Sequence, residues 1–472
     1  MEITGRKAER QLLQECALSG RPVFLAIYGR RRIGKTYLVK EHFNNHFTFY
    51  VTAEANVSKS DQLAVFDAAL DKYFTGDIQA SRSWLHAFTQ LESQLTSLTT
   101  TEKKIIFIDE LPWFDTRKSG FLPALEHFWN SFASSRPDIM LIVCGSAASW
   151  MIKNLIDSYG GLHNRVTHSI SLEPFTLAET EEFCRSHGVV FNRHQLAEAY
   201  MILGGIPYYL ELLNKGLSLS QNVDALFFAK NAPLKNEFDR LFRSLYRSAG
   251  NHIRIIEALG TQNTGLSRHE IIKACGISDG GALSGTLREL EQCGFISTID
   301  DYNKRRNGEY YHLVDFFSLY YLRYVKGNRT KDEHYWTNYL LHPAHGNWCG
   351  HAFERLCLAH IPQIKACLGI TGVITNACSW RSTNSASPLQ IDLVINRKDQ
   401  VINLCEIKYT TSEFSIDADY AEHLAARRQR FISETATRSA IHQTMITTYG
   451  LTHNAFANNI QSQITLDDLF AG

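Results

Sequence analysis

The sequence predicts an α/β protein of several domains, with a parallel sheet that carries a phosphate-binding loop at the start and a smaller α/β domain at the end. Three observations carry this. The octet Gly29-Arg30-Arg31-Arg32-Ile33-Gly34-Lys35-Thr36 fits G-x-x-x-x-G-K-[ST] at every fixed position, between the apolar run 23–28 and a helical stretch, 35–43. Two further short apolar runs, 105–108 and 140–144, suit strands buried on both faces of a parallel sheet. Near the end of the chain, the runs 388–395 and 401–408 read as two more strands, each carrying acidic residues.

The loop comes first in the chain and is the most specific signal. Gly29 and Gly34 let the backbone curl so that successive N–H groups face phosphate oxygens, and the following helix adds its positive amino end. Lys35 is placed to reach the β and γ phosphates of ATP, and the Thr36 hydroxyl to take one position on Mg²⁺. Arg30, Arg31, Arg32 and Ile33 fill the loop, and the three arginines add positive potential around the phosphates. The next strand ends in Asp109-Glu110. Asp109 is expected to hold the metal and Glu110 to polarise the attacking water as general base. The third strand ends in Ser146, a small polar residue suited to sense the γ-phosphate, or else an ordinary helix cap.

These features, with Gly5-Arg6-Lys7-x-Glu9, Asp109-Glu110-Leu111-Pro112-Trp113, Cys144-Gly145-Ser146-Ala147-Ala148-Ser149-Trp150-Met151 and Gly160-Gly161-Leu162-His163-Asn164-Arg165, resemble the archaeal-type P-loop ATPases of the AAA+ and STAND grouping. The resemblance covers roughly the first half of the chain. It implies that Arg165 acts on the γ-phosphate of its own or a neighbouring subunit, and the second option calls for a homo-oligomer. It also implies that Pro207, in Gly204-Gly205-Ile206-Pro207, stands where many AAA+ proteins carry an arginine sensor. That departure favours a nucleotide-controlled switch over a fast motor.

Composition bounds the rest. With 472 residues, the chain exceeds what a single core organises, and 44% hydrophobic and 20% charged residues describe an ordinary globular protein. Lys and Arg (48) balance Asp and Glu (48), so any nucleic-acid path must be a local patch. No apolar run approaches the roughly 18 residues of a membrane span, and the amino terminus has no signal-peptide pattern. Ten cysteines without C-x-x-C spacing read as reduced core residues, and the 19 histidines show no metal-binding spacing. A cytoplasmic location without membrane contact is expected.

The domains are expected at 1–170 (ATPase core), 171–247 (helical lid), 248–325 (winged helix), 326–345 (linker) and 346–472 (nuclease-like). The lid follows from helical spacing at 176–187, 195–203 and 208–215. The winged helix follows from helices at 253–259, 267–275 and 281–293, then a hairpin, 295–299 with 310–314, whose tip Lys304-Arg305-Arg306-Asn307-Gly308 is basic. With Arg288 on the third helix, such a module can contact DNA or dock a protein, and the sequence leaves both open.

In the last domain Asp392 lies on one strand, and Glu406 and Lys408 share a face of the next, because side chains two apart in a strand point the same way. Asp392 and Glu406 suit Mg²⁺, Lys408 suits the orientation of a water, and Glu354, on the helical stretch 350–357, can supply a further ligand. The arrangement resembles the PD-(D/E)xK nucleases, and the region resembles the restriction-endonuclease-like domain often attached to these ATPases. Residues 345–472 hold ten Lys and Arg against eleven Asp and Glu. Arg427, Arg428, Arg430 and Arg438, expected on the helix after the second strand, form either a DNA path or a solvated helix face. The expected function is an ATPase whose nucleotide state controls a Mg²⁺-dependent nuclease acting on nucleic acid, DNA foremost, in DNA processing or defence. The alternative is an ATP-controlled switch that binds DNA or protein through the winged helix, with a silent nuclease-like domain.

Overall fold

A computed structural model describes residues 3–471 apart from 101, 158–161, 163, 247, 262–264, 303–309 and 383–388. The chain divides into two compact units, Met1–Glu173 and Pro174–Gly472.

The first unit is built on five strands: β1 (Val23–Tyr28), β2 (Phe49–Thr52), β3 (Lys104–Asp109), β4 (Ile139–Gly145) and β5 (His168–Ser171). They lie in the order β2-β3-β4-β1-β5, and every pairing is parallel. All seven residues of β4 and the first five of β1 are buried, which is why these segments are continuous apolar runs. Helices Lys59–Tyr73 and Trp84–Ser97 begin at Ser58 and Ser83, whose side chains accept from backbone N–H groups of the first turn. Their buried faces join an aromatic core in which Trp84 meets Phe66 at 5.7 Å and Phe121 at 4.9 Å between ring centroids. With parallel strands, the carboxyl ends of β1, β3 and β4 fall on one edge of the sheet, and Tyr28 lies beside Gly145 there. Open α/β sheets bind ligands at that edge.

The second unit starts with helices Leu177–Ser186, Arg193–Leu203 and Pro207–Glu211. The first two open on capping boxes, Thr176 with Glu179 and Asn192 with Gln195. The third stops at Glu211, short of the expected residue 215. Helices Gly250–Gly260, Arg268–Cys275 and Gly281–Gln292 accompany an antiparallel sheet, β6 (Leu266–Ser267), β7 (Ile296–Ile299) and β8 (Tyr310–Leu313), in the order β6-β8-β7. The basic tip Lys304, Arg305 and Arg306 lies outside the described residues. Beyond β7 the chain meets the final sheet: Tyr302 N–H donates to the Ser379 carbonyl at 2.8 Å, and Ser379 N–H donates to the Asp300 carbonyl at 3.0 Å.

Within the segment 326–345, expected as a linker, most residues are exposed but a short helix is packed. Trp336 is fully buried between Tyr320, Tyr324 and Trp348, at centroid distances of 5.0, 5.0 and 5.6 Å. Its helix, Tyr335–Tyr339, is anchored by the buried carboxylate of Asp224, which accepts from Trp336 N–H at 2.7 Å and from the Thr337 hydroxyl at 2.6 Å.

The final sheet holds β9 (Thr375–Arg381), β10 (Gln390–Arg397), β11 (Val401–Lys408), β12 (Ala440–Thr447) and β13 (Ser462–Thr465), in the order β13-β12-β11-β10-β9. The first three pair antiparallel and the last three parallel. Helix Ala418–Thr435 makes the crossover from β11 to β12, as a parallel pair requires. β10 runs two residues past the expected end, and Pro388 lies outside the described residues. Among the described residues no helix is long and apolar enough to cross a membrane.

Candidate functional site

The nucleotide loop joins the end of β1 to helix Lys35–His42. Gly29 has φ 142°, and a Cβ there would fall 2.3 Å from the Leu172 carbonyl oxygen, so no side chain fits. Gly34, at φ 88°, caps the helix in the left-handed region, and Arg32 shares that conformation at φ 75°. The ammonium of Lys35 is buried and donates to the carbonyls of Gly29 and Arg30, at 2.9 Å each. A triphosphate offers it stronger, charged acceptors in the same place. Arg30 is buried, Arg31 exposed and Arg32 half-buried, so the three arginines do not form one solvated group. Ile33 is buried, and its carbonyl accepts from the Arg6 guanidinium at 3.5 Å, which ties the loop to the start of helix Lys7–Leu18.

The acidic strand end meets this loop. The Thr36 hydroxyl donates to Asp109 Oδ2 at 2.8 Å, bringing together the two groups expected to share a metal. Burial pushes the Asp109 carboxyl up to about 6, the Thr36 hydrogen bond pulls it down, and the neighbouring Glu110 charge pushes it up again. Two adjacent carboxylates in this condition suit a divalent cation, which would relieve both burial and repulsion. Glu110 takes a left-handed backbone, φ 50°, and its carboxylate accepts from the Ser146 hydroxyl at 2.6 Å and the Ser146 N–H at 3.3 Å. Ser146, expected to sense the γ-phosphate, is thus coupled directly to the expected general base. Arg165 is exposed in the turn before β5, and Gly160, Gly161 and His163 lie outside the described residues. Pro207 opens helix Pro207–Glu211 in the second unit, after Gly204 and Gly205 at φ 76° and 62°.

The second constellation lies in the final sheet. β10 and β11 pair antiparallel up to Leu393 and Cys405, and β10 shifts register against β9 between Ile391 and Val394, the stretch that holds Asp392. Lys408 Nζ is 3.1 Å from Glu406 Oε1, as the shared strand face requires. Gln390 Nε2 donates to Asp392 Oδ1 at 2.6 Å. The Asp392 carboxyl is raised by burial and then by the charge of Glu354, while Glu406 adds a smaller push. Glu354 is therefore close enough to act on Asp392, but it leans on His351 at 3.4 Å. Among the described residues no three His, Cys, Asp or Glu side chains are grouped to hold a metal ion. Glu354, Asp392 and Glu406 accordingly do not form a three-carboxylate cage. Asp392 and Glu406 alone still fit Mg²⁺, which commonly binds through one or two carboxylates plus phosphate oxygens and water.

Residues 4–213 match the family described as an ATPase domain predominantly from Archaea. That match, over a loop with this geometry, supports a P-loop ATPase. An uncharacterized protein of Methanocaldococcus jannaschii is 27% identical over 332 residues, 70% of each chain. Among solved structures, the Walker-type ATPase of Pyrococcus abyssi aligns with 68% of this chain and 96% of its own, at 18% identity and a TM-score of 0.49. The ORC2 protein of Aeropyrum pernix aligns with 68% of this chain and 93% of its own, at 13% identity and a TM-score of 0.43.

Tyr420 went unread in the sequence, and the partner of Arg427 was not foreseen. Tyr420 Oη donates to Glu406 Oε1 at 2.5 Å, and Arg427 Nη1 pairs with Glu406 Oε2. Arg427 is therefore a partner of Glu406 rather than a fully solvated helix residue. Arg430 instead pairs with Glu434 at 3.6 Å. Arg438 is not on the helix at all, which ends at Thr435 with Ala436 in a left-handed cap. The readable signal was spacing: Tyr420, Leu424 and Arg427 recur at i, i+4 and i+7 on one helix face.

Proposed function

We propose that this protein binds and hydrolyses ATP in its first unit, and that nucleotide occupancy controls a Mg²⁺-dependent nuclease in the final domain acting on nucleic acid, DNA foremost. In the ATPase unit the loop amides and Lys35 bind the phosphates, and Thr36 and Asp109 hold Mg²⁺, which neutralises charge on the β and γ groups. Glu110 accepts a proton from the attacking water, Ser146 fixes the orientation of Glu110, and Arg165 serves the γ-phosphate, within one chain or across a homo-oligomer. In the final domain Asp392 and Glu406 hold Mg²⁺, with Glu354 acting on Asp392 by its charge. Lys408 orients the water whose oxygen attacks phosphorus as the ester P–O bond breaks.

The observation that supports the nuclease reading is the contact of Lys408 with Glu406 at 3.1 Å, beside a strand on which Asp392 is raised by the charges of Glu354 and Glu406. Lys408→Ala or Asp392→Ala should abolish Mg²⁺-dependent cleavage across a panel of DNA and RNA substrates, with ATP binding unchanged. A wild-type protein that cuts none of them, with or without ATP, would falsify this reading.

A second reading rests on a separate observation. Both oxygens of Glu406 already have partners. That favours an ATP-controlled switch with a silent final domain, holding DNA or protein through a winged helix made of the three helices and β6–β8. Arg288 is exposed on the third helix. Charge reversal at Arg288, Lys304, Arg305 and Arg306 should then weaken DNA binding and flatten its salt dependence.

A further inference from the structure

The Glu406 carboxylate, buried to 8% exposure, holds two cations and a phenol. Lys408 comes from its own strand. Arg427 comes from the crossover helix, on the face shared with Tyr420 and the buried Leu424. Arg427 and Arg428 line a cleft with Ile391, Leu404, Glu406 and Leu424, so the guanidinium and this carboxylate border the same cleft. A guanidinium stays charged at every working pH, so its pairing with Glu406 Oε2 opposes the approach of a second cation to that oxygen. Two positive charges competing for one oxygen in a partly buried site repel by several kcal/mol. A phosphodiester, by contrast, is a planar-fork partner for arginine at least as good as a carboxylate.

Resting on the nuclease reading above, we propose that Arg427 is an exchangeable counter-ion: it occupies Glu406 until a nucleic-acid phosphate draws it away, and only then does Glu406 become available to a divalent cation. Metal loading is thereby tied to substrate loading. The domain is idle without nucleic acid, and Tyr420, which stays hydrogen-bonded to Oε1, keeps the carboxylate oriented through the exchange.

The test is Mn²⁺ titration by calorimetry of the full chain, carrying Asp109→Asn so that the nucleotide site does not contribute, in the absence of nucleotide. Arg427→Ala and Arg427→Gln should each tighten Mn²⁺ binding by about ten-fold or more, the equivalent of removing roughly 1.4 kcal/mol of charge competition. Arg427→Lys should stay near the parent. A short phosphorothioate DNA should tighten Mn²⁺ binding in the parent but add little to Arg427→Ala. Thermal melts check that each variant is folded. If Arg427→Ala and Arg427→Gln leave Mn²⁺ affinity unchanged while Glu406→Gln lowers it, the exchange is wrong and the metal site stands. If Glu406→Gln changes nothing in any background, the metal site fails and the exchange falls with it.

Discussion

Gly29 has no room for a side chain, and that single fact fixes how close the loop packs to the end of the sheet. Gly29→Ala would put a Cβ against the Leu172 carbonyl and hold alanine at φ 142°. We expect loss of ATP binding in calorimetry and a lower melting point, from a strain of roughly 2–4 kcal/mol. Alanine binding ATP normally would show that the loop is built differently. Ser146→Ala should slow turnover while leaving ATP affinity near wild type, because it removes the hydroxyl that orients Glu110. Comparable kcat in the variant would remove Ser146 from the catalytic set. His312 gives a pH signature in the second unit. Burial, then the charges of Arg355 and Arg381, lower it from 6.5 to about 4, so the fold keeps the ring neutral. The unfolded chain then binds more protons than the folded one between those values. Stability is therefore full above pH 6.5 and declines as pH falls toward 4, by on the order of 3 kcal/mol. His312→Gln should flatten the acid limb of the melting curve, and an equally steep limb would count against this assignment. The loop residues were readable from sequence because phosphate binding restricts both type and spacing. The contacts of Tyr420 and Arg427 with Glu406 were not, because their partner lies on another element and only the fold brings it near.

The strands β1, β3, β4, β7, β8, β10 and β11 follow from local pattern, whereas β2, β5, β6, β9, β12 and β13 were not read from it. The runs 23–28, 140–144, 388–395 and 401–408 became β1, β4, β10 and β11 with ends shifted by two residues at most. The helix Tyr335–Tyr339 within 326–345 was not expected, because the stretch before it is polar and the helix itself has no apolar period. Its stability comes from outside, through the Asp224 carboxylate and a ring of aromatic side chains. The aromatic residues Tyr335, Trp336 and Tyr339, close together after a polar stretch, were the available hint. Trp336→Ala should cost about 3–5 kcal/mol, as for other fully buried aromatics, measured by denaturant unfolding of the full chain. A loss below 1 kcal/mol, the size of a surface substitution, would mean that the segment is only loosely held.

The helices 177–203 and the final domain belong to one compact unit. Arg193 pairs with Asp467 at 3.1 Å, Glu198 contacts His345 at 3.3 Å, and Leu177 N–H donates to the buried His360 ring at 3.2 Å. His194 and Tyr409, the residue after Lys408, meet at 5.1 Å between ring centroids. These contacts join the helices to the strand that carries Glu406 and Lys408 without involving the three helices and β6–β8. ATP added to the full chain should alter amide exchange in helix Arg193–Leu203 and at Tyr409 together, and Glu198→Ala with Arg193→Ala should separate the two responses. Changes that persist at Tyr409 in that double variant would rule these contacts out as the link. Sequence alone does not reveal them, since they depend on pairs 147 and 274 residues apart.

The hydrogen bonds from Asp300 and Tyr302 onto Ser379 have a practical corollary. They engage the N–H and carbonyl of Ser379, midway along β9, the last strand of its sheet. A truncated fragment starting near residue 346 would bare these groups, an invitation to strand-by-strand self-association. Expression of the acidic domain by itself should therefore yield oligomers, whereas a fragment reaching back to residue 250 keeps them paired.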